Sequence, residues 1–92
     1  VPGLATRIER ITPNPARASE IEAVLQLTGV GESSLEMLDV TGRRWAGERY
    51  AAGTAGRRTW RLPTGANLPA GLYLIRLRER GVEQTARVVI LE

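Results

Sequence analysis

Apolar and polar residues alternate along most of this chain with a period of two. Ile21, Ala23, Leu25 and Leu27 are interleaved with Glu20, Glu22, Val24 and Gln26, the pattern of a strand with one face against a core. After a turn at Gly29-Val30-Gly31, Leu35 and Met37 continue the alternation against Ser34 and Glu36. A turn at Thr41-Gly42 leads to a strand opening at Trp45. Thr59-Trp60-Arg61-Leu62 is another, with Trp60 and Leu62 on one face. Between Leu72 and Glu79, Arg76 and Arg78 have to face water, because burying an unpaired charge is costly. That puts Tyr73, Ile75 and Leu77 on the core face. Gly81 turns the chain into a last strand, Glu83 to Leu91, with Ala86, Val88 and Ile90 on one face and Arg87, Val89 and Leu91 on the other. With Arg87 outward, Val89 and Leu91 are expected to be partly exposed.

Gly or Pro interrupts most windows before a helical stripe could form. Short strands punctuated by turn residues predict an all-β fold, an antiparallel immunoglobulin-like β-sandwich of about seven strands. Residues 1–11 read as a linker or a first edge strand, and residues 12–92 as the folded domain. Pro13 and Pro15 cannot donate to a ladder, so Thr12 to Ala16 is expected to be a kinked approach rather than a central strand.

Composition narrows the chemistry. The 92 residues include no Cys and no His, which removes Ser-His-Asp and Cys-His catalysis, disulfides and the usual zinc sets. The acidic pairs Glu20/Glu22 and Glu79/Glu83 read as solvated faces rather than a glycosidase couple. No apolar run approaches the roughly 20 residues of a membrane span. The formal net charge is +3, all 13 basic residues are Arg, and they are interspersed with Glu; this predicts a solvated surface rather than a phosphate-tracking stripe. Arg57, Arg58 and Arg61 cluster beside Trp60, as in single-strand binders, but Trp60 is expected in the core. The expectation is no enzyme, no cofactor, no metal and no nucleic acid.

Three turn-and-strand landmarks remain. Asn14-Pro15 lies in the kinked segment. In Asp39-Val40-Thr41-Gly42-Arg43, a carboxylate placed before a turn accepts backbone N–H groups two or more residues on. Gly42 supplies a positive φ, and Arg43 is placed to pair with Asp39 across the turn. In Leu68-Pro69-Ala70-Gly71-Leu72-Tyr73, Leu68 tucks into the core and Gly71 releases the chain into a strand. Tyr73 buries its ring there while its hydroxyl finds a backbone acceptor, as in a tyrosine corner.

In this order, and with Arg87 ahead of Val88-Val89-Ile90, the landmarks resemble the C-terminal sorting domains of type IX secretion cargo from bacteria of the Bacteroidetes group. The match runs over roughly residues 11–92 and rests on Asn14, Pro15, Asp39, Gly42, Arg43, Leu68, Gly71 and Tyr73. One departure is Arg87, where the family commonly has Lys, and the two are not interchangeable at a recognised position. The resemblance implies a secretion signal carried by an N-terminal cargo domain of the same chain. Its implied partners are the outer-membrane translocon and a cell-surface sorting peptidase. The implied route is periplasm in transit, then cell surface or medium, with cleavage upstream and surface anchoring as further steps. Recognition is expected at the last strand, through Arg87, Val89 and Leu91 on an exposed edge. The alternative is an accessory immunoglobulin-like module that binds carbohydrate or spaces domains, for which Trp45, Tyr50, Trp60 and Tyr73 are the candidate platform residues.

Overall fold

In a computed structural model, which describes residues 5–17, 21–62 and 68–91, the alternating segments become strands and no described residue is helical. In chain order these are β1 (Arg7–Thr12), β2 (Ala16–Arg17), β3 (Glu22–Leu27), β4 (Ser33–Asp39), β5 (Arg44–Tyr50), β6 (Gly56–Arg61), β7 (Gly71–Glu79) and β8 (Val82–Leu91). They form two sheets, one of order β1-β3-β6 and one of order β2-β8-β7-β4-β5. Pairing is antiparallel throughout except for the two-residue β2, which runs parallel to β8. The result is the immunoglobulin-like β-sandwich expected from the alternation.

The first stretch of chain serves both sheets. Arg7–Thr12 is an edge strand on β3, and Ala16–Arg17 pairs with Ile90 and Leu91 of β8. The bend between them is Pro13-Asn14-Pro15, where the missing N–H groups of the prolines end one ladder before the next begins. Residues 1–4, and Glu20 of the Glu20/Glu22 pair, lie outside the described residues.

The two sheets face each other through the side chains the period-two pattern selects. Ala23, Leu25, Leu27 and Trp60 project from the smaller sheet, and Leu35, Met37, Tyr73, Ile75, Leu77, Val88 and Ile90 from the larger, each 4% exposed or less. Leu62 and Leu68 join the same core. Val24 departs from expectation: its parity puts it on the outer face, in register with Arg10 and Thr59, yet it is 4% exposed.

The free edges carry charges on their core-facing parity. Glu48 of β5 is in register with Leu35, and Arg58 of β6 with Leu25; both are exposed. β1 is interrupted by a bulge between Ile8 and Arg10. Inward-pointing charges and bulges are the usual means of blocking edge-to-edge association.

Glu79 corrects the reading of the Glu79/Glu83 pair as solvated. Glu83 does sit at the surface, 2.8 Å from Arg78, but Glu79 follows Tyr73, Ile75 and Leu77 inward and is 1% exposed. Its Oε1 accepts hydrogen bonds from the Thr6 hydroxyl (2.5 Å), the Thr28 N–H (2.9 Å) and the Thr28 hydroxyl (2.8 Å). Its Oε2 accepts from the Gly29 N–H (3.0 Å). Four donors replace the water a buried carboxylate loses. Burial pushes the Glu79 pKa up, and the bonds from Thr6, Thr28 and Gly29 outweigh that and hold it below the ordinary value. One side chain thus ties the end of β7 to the β3–β4 turn and to the residue preceding β1. Glu79→Ala is expected to destabilise the domain by about 2–4 kcal/mol, because it strands buried donors, and to lower the melting temperature by roughly 10–20 °C. A thermal melt indistinguishable from the parent would show that the four bonds add nothing.

Candidate recognition site

The far end of β7 gathers all three sequence landmarks. β4 closes on Asp39, whose Oδ1 accepts the N–H of Thr41 (2.9 Å), the hydroxyl of Thr41 (2.6 Å) and the N–H of Arg43 (3.0 Å). Its Oδ2 accepts the indole N–H of Trp45 (3.0 Å). Gly42, at φ +89°, donates its N–H back to the Asp39 carbonyl (3.0 Å). The expected capture of backbone N–H groups is therefore present. The expected Asp39–Arg43 side-chain pair is not. Trp45 occupies the second carboxylate oxygen, and the Arg43 guanidinium instead lies over the Trp45 ring, 4.3 Å from its centroid, a cation–π arrangement. Hydrogen bonds from Thr41, then Trp45, lower the Asp39 pKa from 3.8 to about 2, against a smaller opposing effect of burial.

Tyr73 forms the expected tyrosine corner. The side chain is 3% exposed, and its hydroxyl donates to the carbonyl of Pro69 at 2.6 Å. Gly71, at φ +150°, turns the chain from this corner into β7, a backbone conformation that favours glycine. The Trp45 ring meets Tyr73 edge-on, with centroids 6.4 Å apart. Burial, then the nearby Asp39 charge, pushes the Tyr73 hydroxyl pKa up.

Asn14 clips the third landmark to the same place. Its Nδ2 donates to the carbonyl of Arg87 and its Oδ1 accepts from the N–H of Val89, both at 3.1 Å. The side-chain amide imitates a peptide unit where the flanking prolines cannot pair. Asp39 is in register with Tyr73, and Tyr73 with Val88, the residue Asn14 straddles. Landmarks far apart in the chain thus form one row across the larger sheet.

This row overturns the expectation that β8 is an exposed edge ready to receive a strand. From Arg87 to Leu91 that edge is taken by Asn14 and β2. The three residues proposed for recognition are nevertheless together on the outer face: Arg87 is exposed, Val89 is 40% exposed and Leu91 49%. They do not stand alone. Leu72 is in register with Val89, Leu74 with Arg87, and Leu38 with Leu74. Leu72 is itself 39% exposed. Its outward parity follows from the alternation that sends Tyr73 inward, but only the sheet register reveals that Leu72 adjoins Val89 and that Leu74 adjoins Arg87, with the buried Leu38 beyond it. The rest of the same face is polar: Glu36–Arg76 and Arg78–Glu83 pair at 2.8 Å each, and the exposed Arg49 lies in register with Ser34. The bond from Arg76 is the main influence lowering the Glu36 pKa.

Other candidate features are differently disposed. Arg57 binds Glu9 (2.7 Å) and Arg61 binds Glu22 (2.8 Å) on the opposite sheet, while Trp60 is buried beneath. With Trp60 and Tyr73 inside and Trp45 under Arg43, the aromatic residues do not form an exposed row. Among the described residues no group of three or more His, Cys, Asp or Glu side chains is placed to hold a metal ion. An open groove of about 680 Å³ at the Glu79 end is lined by Thr6, Thr28, Val30, Val82 and Gln84, and its acidic group is the already saturated Glu79.

No protein-family model matches this sequence, and no curated protein matches it. Among solved structures, CopC from Methylosinus trichosporium OB3b aligns over 94% of this chain and 91% of its own, with a TM-score of 0.53 and 21% identity. The likeness is one of fold.

The Asp39 hub has a pH signature. Its folded-state pKa is depressed, so the stability it contributes is full above the unfolded value of 3.8 and is lost as pH falls through about 2. In thermal melts of parent and Asp39→Asn, the gap is expected to be widest above about pH 4 and to close near about pH 2. A gap that stays constant across that range would exclude the charge as its source.

Proposed function

We propose that this chain is a sorting module of the type IX kind: a C-terminal domain that marks a cargo protein for passage through an outer-membrane translocon. The observation carrying this reading is the convergence of Asn14, Asp39 and Tyr73 on one row of the larger sheet. The residues behind the resemblance make one local structure rather than three unrelated turns. Each of them acts as a fastener: Asn14 seals the β8 edge, Asp39 closes the β4–β5 turn, and Tyr73 pins the approach to β7. None is left free for chemistry, which suits a domain whose task is to be recognised. Arg87, Val89 and Leu91 are presented directly on the outer side of the row.

In this reading the cargo domain precedes the module in the same polypeptide. The module crosses the periplasm folded, meets the translocon, and is then removed by a surface sorting peptidase acting upstream of β1 or retained during anchoring. Localisation is periplasmic in transit and then cell-surface or secreted.

A reporter enzyme fused ahead of this chain, expressed with a signal peptide in a bacterium possessing a type IX translocon, tests the proposal. Reporter activity is expected at the surface or in the medium, and in the periplasm of a strain lacking the translocon. Periplasmic retention of a folded fusion in the competent strain would defeat the reading.

A further inference from the structure

We infer that the outer face of the larger sheet, at its Tyr73 end, is the docking surface for a receptor protein that is apolar at its centre and acidic at its rim. This inference rests on the sorting-module reading and adds where the module is gripped, and by what. Side chains on this face fall into registered rows. Leu72 lies beside Val89; the next row reads Arg44, Leu38, Leu74, Arg87; the following rows hold the Glu36–Arg76 and Arg78–Glu83 pairs. Leu72, Leu74, Val89 and Leu91 form one contiguous patch, floored at its β4 side by Leu38, which is only 8% exposed. Single exposed leucines are ordinary on a protein surface, but a contiguous group in register is not.

The flanks of the patch identify its occupant. Arg44 and Arg87 end the leucine row, and Arg17 lies in register with Leu91. None of the three belongs to an ion pair among the described residues. Arg44 lies over Gly47 and its charge acts on Glu36, which leaves Arg17 and Arg87 as the basic flank of the patch, and an apolar centre beside such a flank is complementary to carboxylates on a partner. A stable interface covers about 800 Å² on each side, more than the leucine and valine side chains expose, so the arginines have to fall within the footprint. A second copy is disfavoured, because a two-fold contact would set this basic rim against itself. A lipid surface is disfavoured because no Trp or Tyr lies in the patch to anchor at the headgroups. Strand addition meets the inward charges Glu48 and Arg58 on β5 and β6, and the Asn14 and β2 cover on β8.

The test uses the reporter fusion with two double variants, Leu72→Ser with Val89→Ser and Arg17→Glu with Arg87→Glu, and a control, Arg10→Ser, on the opposite sheet. The expected result is export of parent and control, and a fall of at least about tenfold for each double variant, with melting temperatures near that of the parent. Export of both double variants at the parental level would overturn the docking surface while leaving the sorting reading intact. Retention of the parent itself would instead overturn the reading on which it rests. If the serine variant unfolds, the charge-reversal variant, confined to exposed residues, decides. Sedimentation of the isolated domain, and its flotation with phosphatidylglycerol vesicles, test the other occupants. A dimer or vesicle binding abolished by the Leu72 and Val89 changes would overturn the receptor assignment.

Discussion

The pleat of β7 is the constraint from which the rest of the structure takes its orientation. β7 is paired on both sides, with β8 along Gly71–Glu79 and with β4 along Tyr73–Glu79. A strand held in two ladders cannot slip by one residue without turning every side chain to the other face. Tyr73, Ile75, Leu77 and Glu79 therefore face the core together, while Leu72, Leu74, Arg76 and Arg78 face out. The partners inherit the arrangement: Leu35 and Met37 on β4, and Val88 and Ile90 on β8, are inward because their registered neighbours on β7 are. The ends of the inward row are finished differently. Tyr73 closes one end with a hydroxyl bonded to the Pro69 carbonyl, and Glu79 closes the other with a carboxylate bonded to four donors.

That parity is legible in the amino-acid sequence, and so are the fold class, the strands β3 to β8 and most of the core; the two-residue parallel β2 is not, and residues 1–11 read equally as a linker or an edge strand. Arg76 and Arg78 are enough to orient β7, because the cost of burying an unpaired guanidinium exceeds any packing alternative. The same alternation, carried two residues past Leu77, requires Glu79 to face inward. The solvated reading of Glu79 arises because a carboxylate is ordinarily exposed, and the compensating donors, Thr6 and Thr28, lie 73 and 51 residues away in the chain. Val24 differs from its parity for a related reason. Its alternation is correct, but on the central strand of the small sheet, between Arg10 and Thr59, it is only 4% exposed. In the sequence Asn14 reads only as part of a kink. Its role as a substitute peptide unit for Arg87 and Val89 depends on a contact across the sandwich that no local pattern encodes. The Asp39 turn was legible in its backbone bonds, which are local, and not in the choice Arg43 makes between a carboxylate and the face of Trp45.

The edges show how a small sandwich avoids associating through its backbone. β1 is bulged, β5 and β6 present Glu48 and Arg58 on their core-facing sides, and β8 is covered by a two-residue strand and one asparagine. Each device spoils a different edge for strand pairing. Covering β8 uses little chain, because the Asn14 amide supplies one donor and one acceptor at the spacing of a peptide group. The same segment leads from β1 into β2, so the crossing between sheets and the sealing of an edge are one piece of structure.

Guarded edges give the exposed apolar patch its meaning. A chain that excludes adventitious pairing at its sheet borders does not gain stability from leaving Leu72, Val89 and Leu91 39–49% exposed. On the same strands, a few residues further on, Arg76 and Arg78 fill outward positions and pair with Glu36 and Glu83. Polar residues are therefore compatible with this face. Leu72 is not needed to complete the core either, since the inward set at this end is already closed by Tyr73, Val88 and Ile90. What distinguishes the patch from the rest of this face is its contiguity in register, with the exposed Arg17 and Arg87 beside it. Folding explains the location of these side chains, because the parity of β7 and β8 sends them outward. Folding does not by itself require them to be apolar, and the proposed docking surface would give that character a role.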